Sequence, residues 1–216
     1  IRAIALATTC LSMLMAVWAF AGFTGAAEGL GGFKYVHRVA WVDTLGIHYL
    51  VGADGINIGL ILMAAIVSFA AVCVSHSIEE RFKEFHFLML LMITGILGAF
   101  MSIDLFFFYF FHELALIPTF IMIGVWGRGE QRQYATYKMT LYLTLGALVA
   151  LAGLVLLYIQ SGAKTFDLVA LGQQLEAQPL RPESQSLIFG FLLVGFGILV
   201  SLWPFHSWAP IGYGAA

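Results

Sequence analysis

Charge is what this sequence has least of. Only 10 of its 216 residues are Lys or Arg and 12 are Asp or Glu, a charged share of 10%, where soluble domains carry about 25%. So few charges cannot coat a water-facing surface, which excludes a soluble globule. Disorder is excluded as well, because disordered chains are rich in charge and poor in aromatics, and this one is 15% aromatic. A net charge of −2 leaves no basic surplus, and no nucleic-acid partner is expected. Cysteine is nearly absent: Cys10 and Cys73 each sit inside an apolar run and imply neither a disulfide nor a redox compartment. There is no phosphate loop, no dinucleotide fingerprint and no Cys/His spacing for a metal or an iron–sulfur cluster. No cofactor and no metal is therefore expected in the chain itself.

What is abundant is apolar: 61% of the residues, against roughly 45–50% in soluble domains. The composition predicts an all-α polytopic membrane protein with the lipid bilayer as its first partner. Crossing about 30 Å of hydrocarbon takes about 20 mostly apolar residues. Six stretches qualify: Ala3 to Phe23, Ile56 to Ser75, Phe87 to Ile103, Leu105 to Trp126, Thr136 to Ile159 and Ser186 to Trp203. The first exceeds a signal-peptide core of about 7–15 residues and has only Arg2 before it, so it reads as a span. The third and fourth are nearly continuous and predict a tight helical hairpin turning at Asp104. All six are expected to form one membrane domain, residues 1–216. The sequence opens on Ile1 and stops at Ala216 without a polar tail, and is expected to be a piece of a longer protein.

Two connections are long. Residues 24–55 hold short alternating segments punctuated by Gly29, Gly31, Gly32 and Gly52, the pattern of a small β-hairpin on the membrane surface. Residues 160–185, with Pro179 and Pro182, read as an extramembrane loop carrying a short helix. His76 and His86 are expected in one surface loop, His37 and His48 in another. Six crossings place Arg2, Arg81, Lys83, Arg128, Arg132 and Lys138 on one side, and Lys34, Arg38, Lys164 and Arg181 on the other. The first side, with its short loops, is expected to be cytoplasmic.

Ionisable groups inside a bilayer cost at least about 2.5–3.5 kcal/mol and seldom stand there without a role. Glu113 is the clearest. It follows Asp104 by nine residues, about 13–14 Å of helix, which is close to the bilayer midplane. Phe106, Phe107, Phe108, Phe110 and Phe111 precede it, surroundings in which its protonation responds to any neighbouring charge. Pro118 leaves the carbonyl of Leu114 without a helical donor. Either Glu113 handles protons, or it is a neutral acid bonded to His112 or Tyr109 beside a simple kink. Lys138, near the start of the fifth span, is a second candidate, or a lysine snorkelling to the interface. Asp104 reads first as a helix N-cap and only second as a proton site. The motif Trp203-Pro-Phe-His206-Ser-Trp-Ala-Pro210 cannot continue a regular helix. His206 is placed to relay a proton at that break, or to anchor the turn.

The run from Asp104 to Gly127, with its acid-Leu-Ala-Leu-Ile-Pro pattern and closing Gly-Val-Trp-Gly, resembles a signature helix of the antiporter-like membrane subunits of respiratory complex I, NADH:quinone oxidoreductase, most closely the subunit M type. Gly52-Ala-Asp-Gly55, Arg132-Gln-Tyr-Ala-Thr-Tyr-Lys138 with Tyr142, and Pro204-Phe-His-Ser-Trp-Ala-Pro210 agree in the same order. The resemblance implies the N-terminal portion of a proton-translocating subunit about twice this length, in a bacterial cytoplasmic membrane or, alternatively, a mitochondrial inner membrane. It implies other membrane-arm subunits as partners, with NADH, FMN, iron–sulfur clusters and quinone handled by partner subunits. Glu113 matches the buried glutamate of such subunits. Their lysine partner would fall on Leu199, and the last span has no Lys or Arg; Ser201 stands for a usual proline, Ile211 for an aspartate and His112 for a tryptophan. Glu113 would then pair with His206, Lys138 or a lysine elsewhere in the longer protein. Related readings are a subunit of a cation/proton antiporter or membrane-bound hydrogenase, and a structural subunit that no longer pumps.

Overall fold

A computed structural model describes all 216 residues. They form two compact units, Ile1–Pro118 and Thr119–Ala216. Six helices are long and apolar enough to cross a membrane, and the chain is an integral membrane protein of the all-α polytopic class. Large apolar side chains cover much of the outside, Trp18 being 70% exposed, as suits helices whose solvent is lipid.

The first unit opens with α1 (Arg2–Gly22), followed by a hairpin of β1 (Lys34–Val42) and β2 (Ile47–Ala53), paired antiparallel. Then come α2 (Asn57–Val74), α3 (Phe82–Met101) and the first part of α4 (Leu105–Trp126). Ala16 of α1 packs on Ile61 and Ala65 of α2, with Leu97 and Met101 of α3 against them. The Gly-Ala-Asp-Gly segment serves to start α2. Asp54 Oδ1 accepts from Asn57 N at 2.6 Å while Asn57 Oδ1 accepts from Asp54 N at 2.7 Å, a reciprocal cap. Asn57 Nδ2 also donates to the Phe100 carbonyl at 3.0 Å, tying α2 to the end of α3.

The third span starts earlier than its apolar run. Arg81, at φ 49°, turns the chain, and α3 begins at Phe82. His86 therefore lies in the helix and not in a surface loop: it is 1% exposed, with Nδ1 2.7 Å from the Phe82 carbonyl. Lys83 and Glu84 occupy the first turn beside it, and charges there are compatible with a helix end. Between α3 and α4 stand only Ser102, Ile103 and Asp104. A β-carbon on Gly95 would lie 2.5 Å from Ala115 N and 2.7 Å from the Phe111 carbonyl, so the two backbones are in contact.

The second unit holds the rest of α4, α5 (Arg132–Ser161), α6 (Leu168–Ala177), α7 (Pro182–Leu199) and α8 (Ala209–Ala215). At 30 residues α5 is about 45 Å long. It packs along α7 through small residues: a β-carbon on Gly146 would meet Ile198 at 2.8 Å, and one on Gly153 would meet Leu192 at 2.8 Å. The short helix α6 is capped by buried Asp167, which accepts from Val169 N and Ala170 N. The last span is Pro182–Leu199 rather than Ser186–Trp203. Ser201 takes φ 61°, Ser201 N bonds to the Ile198 carbonyl and Leu202 N to the Gly197 carbonyl. This pair of bonds is a Schellman stop, made with serine where glycine is usual.

Candidate functional site

Asp104 caps α4 and Glu113 stands on it, both in the first unit. Asp104 is wholly buried and all its bonds are structural. Oδ1 accepts from Phe106 N at 2.9 Å and Phe107 N at 3.1 Å, the N-cap geometry. Oδ2 accepts from His48 N on β2 at 3.1 Å, and Ile103 N donates to the Leu50 carbonyl at 2.9 Å. The hairpin thus holds the α3–α4 turn by its backbone. Burial pushes the Asp104 carboxyl up, and the three N–H donors oppose the rise without cancelling it.

Glu113 is nine residues further along the same helix. Phe111 and Ala115 form the α4 face against α3, and residue 113 lies half a turn away from both, so it projects from the opposite side. The Glu113 side chain is 32% exposed, yet its Oε1 is shut off and has no hydrogen-bond partner. An unpaired buried polar atom costs about 1–3 kcal/mol, and native structures hold few of them. His112 Nδ1 stands 3.5 Å from this oxygen, beyond hydrogen-bond length.

Lys138 and His206 belong to the second unit. The Lys138 ammonium lies between the rings of Tyr134 and Tyr142, 5.9 and 6.0 Å from their centroids, where each ring face attracts the cation. Ser207 Oγ donates to Tyr142 Oη at 3.2 Å, joining α5 to the turn after α7. His206, the neighbour of Ser207, is exposed on this unit, while Trp208 Nε1 donates to the Ile198 carbonyl at 3.0 Å and anchors the turn. Tyr142 accompanies Lys138 in the motif that opens α5, and four-residue spacing puts Tyr134, Lys138 and Tyr142 on one face; the bond from Ser207, 65 residues away, is visible only in the structure.

No three His, Cys, Asp or Glu side chains come together to hold a metal ion. A cavity of about 340 Å³ in the first unit is walled by Met15, Trp18, Ile61 and Leu97, apolar groups that offer no chemistry.

Residues 102–216 match the family described as NADH:quinone oxidoreductase/Mrp antiporter, TM. The chain belongs to this family. Asp104, Glu113, Lys138 and His206 all fall inside the region that matches the NADH:quinone oxidoreductase/Mrp antiporter family. Chain 4 of the NAD(P)H-quinone oxidoreductase of Gloeobacter violaceus is 33% identical over 183 residues, which cover 85% of this chain and 34% of that protein. Subunit M of the NADH-quinone oxidoreductase of Rhodobacter capsulatus is 32% identical, with 96% of this chain and 41% of that protein covered. A chain of respiratory complex I from Thermus thermophilus superposes with a TM-score of 0.85 at 30% identity, over 99% of this chain and 42% of that one. The sequence therefore spans 34–42% of the length of these proteins.

Proposed function

We propose that the chain is the proton-translocating part of a membrane-arm subunit of NADH:quinone oxidoreductase, with Glu113 as the carboxyl group that exchanges protons. The reading is carried by one observation, the buried and unpartnered Oε1 of Glu113 in mid-helix. When the carboxyl loses its proton, a full charge appears where insertion costs several kcal/mol. Neighbouring groups respond by moving charge or dipoles toward it, and that response is the physical basis of a protonation switch. Lys138, held between two tyrosines, and His206 at the break are the secondary sites for passing or tuning charge. Asp104, with its oxygens committed to backbone N–H groups, serves as the cap of α4.

In this reading the chain contributes no redox centre. NADH, FMN, iron–sulfur clusters and quinone belong to partner subunits, other membrane-arm subunits flank it, and the whole lies in a bacterial cytoplasmic membrane. A second reading, a subunit of a multisubunit cation/proton antiporter, is favoured by the family description that joins the two classes. The 32–33% identity to oxidoreductase subunits favours the first.

The test is Glu113→Gln in the full-length subunit, assembled and assayed in sealed membrane vesicles. Loss of proton pumping at normal complex abundance is expected. Unchanged pumping overturns the proposal.

A further inference from the structure

Adjacent residues on a helix point about 100° apart and do not ordinarily face each other. His112 and Glu113 depart from that habit. Nδ1 of the one and Oε1 of the other approach to 3.5 Å, with the side chains 24% and 32% exposed, and Oε1 has no hydrogen bond. A further approach of a few tenths of an ångström brings the pair within the usual 2.7–3.2 Å, and proton-transfer contacts are often long at rest.

The other groups on this part of the unit offer no better acceptor. Tyr109 is one turn earlier on α4. From the hairpin, Tyr49 packs its ring on Phe107 and Phe111. From α3, the face against α4 is Gly95 and Gly98. The nearest titratable side chain of α3, His86, is nine residues before Gly95, about 13 Å along the helix, and Glu84 and Lys83 are further still.

Resting on the proton-exchange role of Glu113, we infer that His112 is its immediate proton partner: Oε1 gives its proton to Nδ1, and the imidazole hands one on from Nε2. In the first step the O–H bond of Glu113 breaks and an N–H bond forms at Nδ1, leaving a carboxylate beside an imidazolium. The two opposite charges appear together, so neither is alone in the membrane. In the second step the Nε2–H bond breaks as a water molecule takes that proton, leaving a neutral imidazole with its N–H at Nδ1; the cycle closes when Glu113 is protonated again and the ring proton returns to Nε2. An imidazole suits the task because each of its two ring nitrogens can either donate or accept a hydrogen bond.

The experiment uses the complete complex in sealed vesicles, with proton pumping and electron transfer measured from pH 6 to 9 for wild type, His112→Gln, His112→Lys and Glu113→Gln. His112→Gln is expected to slow the proton-transfer step on the order of 10²-fold. His112→Lys, which can still take and give a proton, is expected to restore pumping with its optimum moved to higher pH. Loss of pumping in Glu113→Gln with a wild-type rate and profile in His112→Gln overturns the inference and leaves the role of Glu113 standing. Normal pumping in Glu113→Gln removes both. Infrared difference spectra of the wild-type complex decide the matter without a His112 variant. The carboxyl band that Glu113→Gln removes must change together with a ¹⁵N-histidine imidazole band, and a carboxyl change with no imidazole change overturns the inference.

Discussion

Removing the Asp104 side chain strips three N–H groups of their acceptor, and the cost can be worked bond by bond. Two of the bonds, from Phe106 and Phe107 to Oδ1, form the helix cap, worth about 1 kcal/mol when replaced by alanine. The third, from His48 to Oδ2, leaves a part-buried backbone N–H unpaired at about 1–3 kcal/mol. Asp104→Ala should therefore destabilise the first unit by about 2–4 kcal/mol. Asparagine caps as well as aspartate but turns an amide N–H toward His48, so Asp104→Asn should lose only the third contribution. The two variants then differ by about 1 kcal/mol. Acidity adds a sign. The folded carboxyl is pushed up by burial, so the native state holds its proton to higher pH than the unfolded chain does. The stability that follows is fully present below the unfolded value of about 3.9 and is lost as pH rises through the folded value. The advantage of wild type over Asp104→Asn should accordingly shrink toward neutral pH. Unfolding by SDS in mixed micelles, followed through tryptophan emission, measures all three. Trp41 is a fitting reporter, its ring lying 5.9 Å from Phe107. Asp104→Ala within about 0.5 kcal/mol of wild type, below the lower bound of a lost cap, would refute the reasoning.

Four further outcomes can be checked with the same unfolding assay. Gly95→Ala puts a β-carbon 2.5 Å from a backbone nitrogen that cannot step aside, and should cost about 1–3 kcal/mol. Gly59→Ala in α2, where nothing lies within 4 Å, should cost nothing and serves as the control. Ser201→Gly removes the penalty of a left-handed residue bearing a side chain and should stabilise the end of α7 by about 1 kcal/mol. Ser201→Pro cannot adopt φ 61° and loses the N–H that bonds to Ile198, so it should disrupt the turn.

Apolar length made the six crossings legible, because hydropathy is what a bilayer selects. Their edges were less so, since ends are set by backbone geometry. α3 reaches back past Lys83 and Glu84 to a turn at Arg81, and α7 stops at a left-handed serine that no glycine announces. The hairpin was readable from its glycines and alternation. Its grip on Asp104 was not, because His48 and Asp104 are 56 residues apart and only tertiary structure joins them. That Glu113 stands on one helix nine residues after Asp104 followed from counting. The missing hydrogen bond at its Oε1 and the 3.5 Å approach of His112 Nδ1 are side-chain facts that helical spacing does not announce.

The joint at Asp104 also has a mechanical meaning. One end of α4 is clamped to a two-stranded sheet by the bonds from His48 and Ile103, and sliding the helix along its axis would shear them together. The other weak point is Pro118, which withholds the donor that Leu114 needs. Between clamp and weak point the helix is a cantilever, and Glu113 rides on its stiff arm, five residues short of the place where it can bend. The clamp therefore fixes where the Glu113 carboxyl group stands relative to the hairpin, nine residues of helix away.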